Sequence, residues 1–269
     1  MTKSILFICC LCCLSSAIFS QQTAGKIIYA RTMQLQIVLA GDAAGMENML
    51  PKSRTEKYEL TFSNNKSMWK QMEEEPQEEM AGGAVGGFQI RTISFGSEEL
   101  TYTNLDEMLK TDLRELGTKK YIVTDTIKRN AWKFSDETKT ILGHLCRKAT
   151  TQRIGKRVMM NMDNGKMERK EIADTSNIVA WFASDIPVSV GPAEFQGQLP
   201  GAVLEIDINN GKSTYVAVEV TEKADLSVIK EPKSGKKLTP TEFAKERQKM
   251  MDEMERNNGG PGRTVIRAN

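Results

Sequence analysis

His144 and Cys146 are the two side chains of this sequence whose types and spacing come nearest to a reactive site. Two apart on a strand, they share one face at roughly 6–7 Å along the chain. Soft sulfur and imidazole suit copper(I). Thioethers could extend such a set, from Met46 and Met49, from Met159, Met160 and Met162, or from Met250, Met251 and Met254. The same residues also have a packing reading. A free cysteine is commonly a small core residue, and methionine fills irregular gaps. No cofactor is required on that reading, and copper is the alternative. His144 is the single histidine, which rules out multi-histidine zinc or iron sites and zincin motifs. No Gly-x-Ser-x-Gly elbow presents a serine. A cysteine two residues from its histidine is an awkward nucleophile pair. Neither a phosphate loop nor a dinucleotide fingerprint is present. The expectation is a protein that is not an enzyme.

The second candidate is the stretch from Ile186 to Ile206, which lies between two apolar strands. Pro187, Pro192 and Pro200 pre-set the backbone, and Gly191, Gly197 and Gly201 permit tight turns. Such a loop could carry the chain round a barrel corner. It could equally be a rigid loop with an exposed Phe195 at the rim of a binding site. Trp181, Phe195, Gln198 and Pro200 are the candidate rim residues. Trp132 and Trp181 sit in apolar strand contexts. There they serve either as core, worth about 2–3 kcal/mol each, or as the lining of an open cavity.

The elements that must position these residues read mostly as strands. Ile27, Tyr29, Met33, Leu35 and Ile37 alternate along Lys26 to Ile37, which is the strand period. Residues 58–62 and 67–69 flank Asn64-Asn65-Lys66 as a tight hairpin. Further strands are expected at 89–95, 99–103, 121–125, 132–134, 139–150, 157–161, 178–183, 202–208 and 213–221, while 105–116 reads as either strand or short helix. Asn164-Gly165 and Asn209-Asn210-Gly211 are turns. Residues 73–87 place acids around Pro76 and then run into glycines, the composition of a flexible solvated loop. Thr239-Pro240-Thr241-Glu242 combines an N-cap, a proline at the first helical position and a capping-box glutamate. An amphipathic helix is expected from there to about Asn257, with Phe243, Arg247, Met250, Met251 and Met254 at helical spacing. The fold expected is mainly β: a curved antiparallel sheet or half-barrel over 21–236, with a C-terminal helix over 237–257 packed on it and a mobile tail at 258–269.

The first twenty residues read as a secretory signal peptide, with Lys3, an apolar run and then small residues. Four of the five cysteines fall inside it, so the mature chain keeps Cys146 alone and forms no internal disulfide. With 37 basic and 35 acidic residues the net charge is +2, which creates no field for nucleic acid. After the leader, no stretch reaches the length of a transmembrane segment.

Several pieces of the sequence resemble the GLPGLI family. They are Trp132-Lys133-Phe134, Ile141-Leu142-Gly143, Cys146-Arg147-Lys148-Ala149, Ala180-Trp181-Phe182, Asp185-Ile186-Pro187 and Gly191-Pro192. At the naming motif Gln198 stands in place of the first glycine, and Ala202-Val203 in place of Leu-Ile. A glutamine fits there only with ordinary backbone angles. The resemblance implies an exported, β-rich protein of Bacteroidetes-type bacteria and brings no catalytic residues with it. The expected role is binding or accessory, at the periplasmic or outer-membrane side of the envelope. Its partner would be an apolar ligand held in the concavity or an outer-membrane transport receptor. Copper handling through His144 and Cys146 and a purely structural envelope role are the alternatives.

Overall fold

A computed structural model describes residues 22–35, 51–72, 98–163 and 166–257. The leader expected over 1–20, the segment 73–87, the strand expected at 89–95, the Asn164-Gly165 turn and the tail 258–269 lie outside the described residues. So do Met46 and Met49 and the side chains of Met159, Met160, Met162 and Met254.

The described strands are β1 (Ala24–Gln34), β2 (Ser53–Ser63), β3 (Lys66–Gln71), β4 (Glu98–Asn104), β5 (Leu109–Leu116), β6 (Lys119–Thr126), β7 (Lys133–Ile141), β8 (His144–Asp163), β9 (Lys166–Ala183), β10 (Ala202–Ile208), β11 (Ser213–Thr221) and β12 (Lys236–Leu238). One helix follows, α1 (Pro240–Asn257). The strands form one sheet in the order β12-β6-β5-β4-β3-β2-β1-β11-β10-β9-β8-β7. All pairings are antiparallel except β12 with β6. The segment that reads as strand or helix resolves into a turn at Leu105–Met108 followed by β5. Trp132 precedes β7 instead of opening it. The short β12 had no signal in the alternation, because a three-residue strand contains too little pattern.

The connectivity requires the sheet to curl. β6 and β7 are ten strand spacings apart in the sheet, roughly 48 Å if flat at about 4.8 Å each. The six residues 127–132 connect them, and a link of that length reaches no more than about 25 Å. The side chains agree. Trp69 on β3 and Tyr215 on β11 are three strands apart, yet their ring centroids are 6.2 Å apart. Tyr29 lies 5.6 Å from the same Trp69 ring. These rings mark the concave face. The result is the curved, unclosed sheet expected from the sequence.

The concave face carries the main core, with Ile27, Tyr29, Leu60, Phe62, Ile178, Ala180, Phe182 and Ile206 all essentially inaccessible. The cross-strand row Leu60–Trp69–Thr101–Asp112–Val123 lies on this same face. Helix α1 therefore docks on the concave side, where Phe243 packs on Leu116, Tyr121 and Val123, with Met250 beside them. On the opposite face the chain after β11 passes over β5. There the Glu231 carboxylate accepts from the Thr111 hydroxyl, and Thr111, Thr61, Met68 and Ile122 are buried.

Candidate functional site

The stretch between β9 and β10 folds into the concavity as a corner loop. Its apolar residues Ile186, Val188, Val190, Phe195 and Leu199 join the main core. Internal hydrogen bonds hold its shape: Gly197 N–H to the Ser189 carbonyl at 2.7 Å, and the Ser189 hydroxyl to the Leu199 carbonyl at 2.6 Å. The loop returns to the sheet through Val203 N–H, which donates to the Val190 carbonyl, and through the Tyr29 hydroxyl, which donates to the Val203 carbonyl at 2.6 Å. Two glycines are required by close approach. A Cβ at Gly191 would lie 2.8 Å from the Phe195 carbonyl oxygen, and one at Gly201 would overlap the Ala183 carbonyl. Gly197 takes the left-handed angle, φ +70, and sits on Leu105, Ile127 and Met108.

Gln198 is the hub. Its Oε1 accepts from Asn130 N–H at 2.9 Å, Asn130 Nδ2 at 3.2 Å and Trp132 Nε1 at 3.4 Å. Its Nε2 donates to the Lys128 carbonyl at 3.0 Å. One buried amide thus ties the loop to the short link between β6 and β7. Arg129 adds a bond to the Gly197 carbonyl, and the Thr151 hydroxyl fixes the Ala131 carbonyl. Gln198 keeps an ordinary negative φ, the condition under which a glutamine can occupy the glycine position, and the positive angle falls on Gly197 instead.

Beside this hub lies a cleft of about 200 Å³. One wall is Lys110 of β5, Asp125 and Thr126 of β6 and Lys128 of the link. The other is Arg153 of β8 with Ala193 and Glu194 of the corner loop, and Ile127, Asn130, Gln196 and Gln198 complete it. Arg153 pairs with Glu194 at 3.2 Å. Lys110 leans on Asp112 at 3.4 Å, and Arg114 holds the same buried carboxylate at 2.9 Å. The Thr101 hydroxyl donates to Asp112 as well, so this buried charge is paired and hydrogen-bonded, the condition for carrying a charge inside.

The residues singled out from the sequence are distributed differently. Phe195 is fully buried, which corrects the expectation of an exposed ring: it packs edge-on to Trp132 at 6.4 Å. Gln198 is buried in the hub, and Pro200 is exposed. Trp181 alternates with the buried Ala180 and Phe182 and so faces away from the concavity. There its ring lies under Lys139 Nζ at 4.5 Å and Lys148 Nζ at 5.9 Å, with Lys139 salt-bridged to Glu205 at 2.7 Å. The four do not converge on one site.

Cys146 is fully buried opposite Ala183, and its thiol donates to the His144 carbonyl. Burial, with the nearby Asp185 charge, pushes the thiol up to about 11. Metal binding and nucleophilic attack both need the thiolate, so this environment works against the copper reading. The His144 ring faces Asp185 instead, Nδ1 to Oδ2 at 2.8 Å. Met250 packs under α1, as a docking residue would.

Comparison with known proteins matches this same region. Residues 132–205, from Trp132 through the corner loop to Glu205, match the model of a family described as a protein of unknown function (Porph_ging). No curated protein matches the chain. Two solved structures of PNGF-II are similar in fold. The one in the C2 space group has a TM-score of 0.52 at 17% identity, over 84% of this chain and 33% of that chain. The one in the P21 space group has 0.50 at 16%, over 85% and 34%. The chain thus spans about a third of the length of PNGF-II. No described helix is long and apolar enough to cross a membrane.

Lys110, Asp125, Lys128, Arg153, Glu194 and Gln196 had no signal in the sequence. They come from five separate segments, and only the curl of the sheet brings them together.

Proposed function

We propose that the protein is an exported, non-enzymatic binding or accessory component of the bacterial cell envelope and a member of the GLPGLI family. The observation that carries the reading is the rigid corner loop. Hydrogen bonds and core packing fix it on a sheet scaffold, and it presents one wall of a polar cleft. Rigid loops on such scaffolds are where binding residues concentrate. The apolar part of the concavity is filled by the loop's own side chains, so the binding surface is the cleft and not the apolar bowl. Export rests on the leader-like residues 1–20. An outer-membrane transport receptor is the proposed partner.

The test is a photo-crosslinking amino acid placed at Lys128 on the cleft, or at the exposed Val218 outside it, in the full chain expressed in its own host. Adducts with an outer-membrane receptor from position 128, and not from 218, are expected in the envelope fraction. Equal adducts from both positions, no adducts, or retention of the protein in the cytoplasm would overturn the reading.

A further inference from the structure

The charges lining the cleft are unequally committed. Arg153 and Glu194 neutralise each other, and Lys110 is held by Asp112. Two groups remain. Asp125 accepts one hydrogen bond, from Thr126 N–H, and pairs with no cation among the described residues. Lys128 has no ion-pair partner among the described residues, although its carbonyl is fixed by Gln198. The two do not pair with each other, despite lying three residues apart on the same lip of the cleft. The cleft therefore offers one free carboxylate and one free ammonium group.

Gln196, 3% exposed, adds a donor. Its amide nitrogen is enclosed and makes no hydrogen bond among the described residues. Gly191 N–H and the Ser67 hydroxyl both donate to Oε1, which identifies the other end of the amide as the unpaired nitrogen. Those bonds are long, 3.4 and 3.3 Å, so a rotation of this side chain toward the cleft gives up little.

Resting on the proposal that the cleft is the binding surface, we infer that its ligand is a small zwitterion: an α-amino acid or a short peptide. Its ammonium group meets Asp125, and its carboxylate meets Lys128 with Gln196 behind it. The size fits, since about 200 Å³ is below the roughly 300–1,000 Å³ of drug-sized sites. Among the described residues the lining has no aromatic ring, and Ile127 and Ala193 are its apolar members, so a lipid or a stacked base finds no platform. Carboxylates on both walls repel a polyanion, and the lysines repel a simple cation.

Titration of the isotope-labelled protein by NMR tests this with glycine, alanine, dialanine, acetate, methylamine and glucose. Saturable shifts at Asp125, Lys128 and Gln196 are expected with the zwitterions, and binding at least about tenfold weaker with acetate or methylamine, the effect of losing one charged hydrogen bond. Alanine binding better than dialanine assigns a free amino acid, and the reverse a peptide. Asp125→Asn and Lys128→Met, with unchanged melting temperatures, should each weaken binding by about tenfold. Equal binding of acetate and alanine, preference for glucose, or shifts unaffected by both variants would overturn the inference. Receptor adducts from position 128 without any amino-acid binding would sink it and leave the proposed function standing.

Discussion

Gln198 ties the corner loop to the 127–132 link through both ends of its amide. Gln198→Ala leaves Asn130 N–H and the Lys128 carbonyl without their buried partner, and a loss of about 2–3 kcal/mol is expected. It should appear as a lower urea midpoint at unchanged m-value. Gly201→Ala is a sterner case, because its Cβ would overlap the Ala183 carbonyl and backbone would have to move. Failure of that variant to fold, or a loss above about 3 kcal/mol, is expected. Cys146 gives a pH signature. Its thiol is raised to about 11 by burial, so its contribution is complete below the ordinary thiol value and fades as pH climbs through about 11. Urea midpoints between pH 8 and 11 should therefore fall more for the wild type than for Cys146→Ala. Rapid labelling of the folded protein by a thiol reagent at pH 8 would contradict this.

At the scale of elements, α1 is held by its cap, by Phe243 and Met250, and by the Glu246 ion pair to Lys236 of β12. Glu242 accepts from Thr239 N–H at 2.8 Å and from the Thr239 hydroxyl, which hold its carboxyl below the usual range. Its folded value is depressed, so the cap contributes above the ordinary glutamate range and is lost as pH falls through the folded value. Helical circular dichroism should decline there in the wild type and show a weaker pH response in Glu242→Gln. Phe243 is the anchor, 4% exposed, with the Arg114 guanidinium over its ring. Phe243→Ala is expected to cost about 3 kcal/mol and to reduce helical signal, since an 18-residue helix is marginal without its docking face. Elsewhere the elements followed local chemistry. The β2–β3 hairpin turns at Asn64, with φ 51, as its asparagines predict. The β7–β8 hairpin turns at Leu142, with φ 50. A leucine gives no such cue, which is why one strand was expected to run through it.

At the scale of the molecule, the curl is the property on which the cleft depends. Thr126 and Arg153 both line the cleft, although β6 and β8 are nine strand spacings apart, roughly 43 Å across a flat sheet. Spin labels at these two positions, with Cys146 replaced by alanine, should report a distance below about 20 Å. A distribution centred near 40 Å would refute the curled sheet and the cleft together. The whole concavity also explains why the apolar rim residues expected from the sequence do not meet. The loop folds inward and buries Phe195, while strand alternation sends Trp181 to the other side.

What the sequence determined alone is what local physics determines. Alternation set most strands, the Thr239–Glu242 box set the start of the helix, and the proline-glycine run marked a corner where side chains would not fit. Strand alternation fixes which residues share a face but not which face becomes concave, and it says nothing about which distant strands meet. Those were decided by the six-residue link that forces ten strand spacings to close up, and by a glutamine whose partners lie some seventy residues away. The cleft is a product of that closure, because its charges come from segments with no local reason to be near one another.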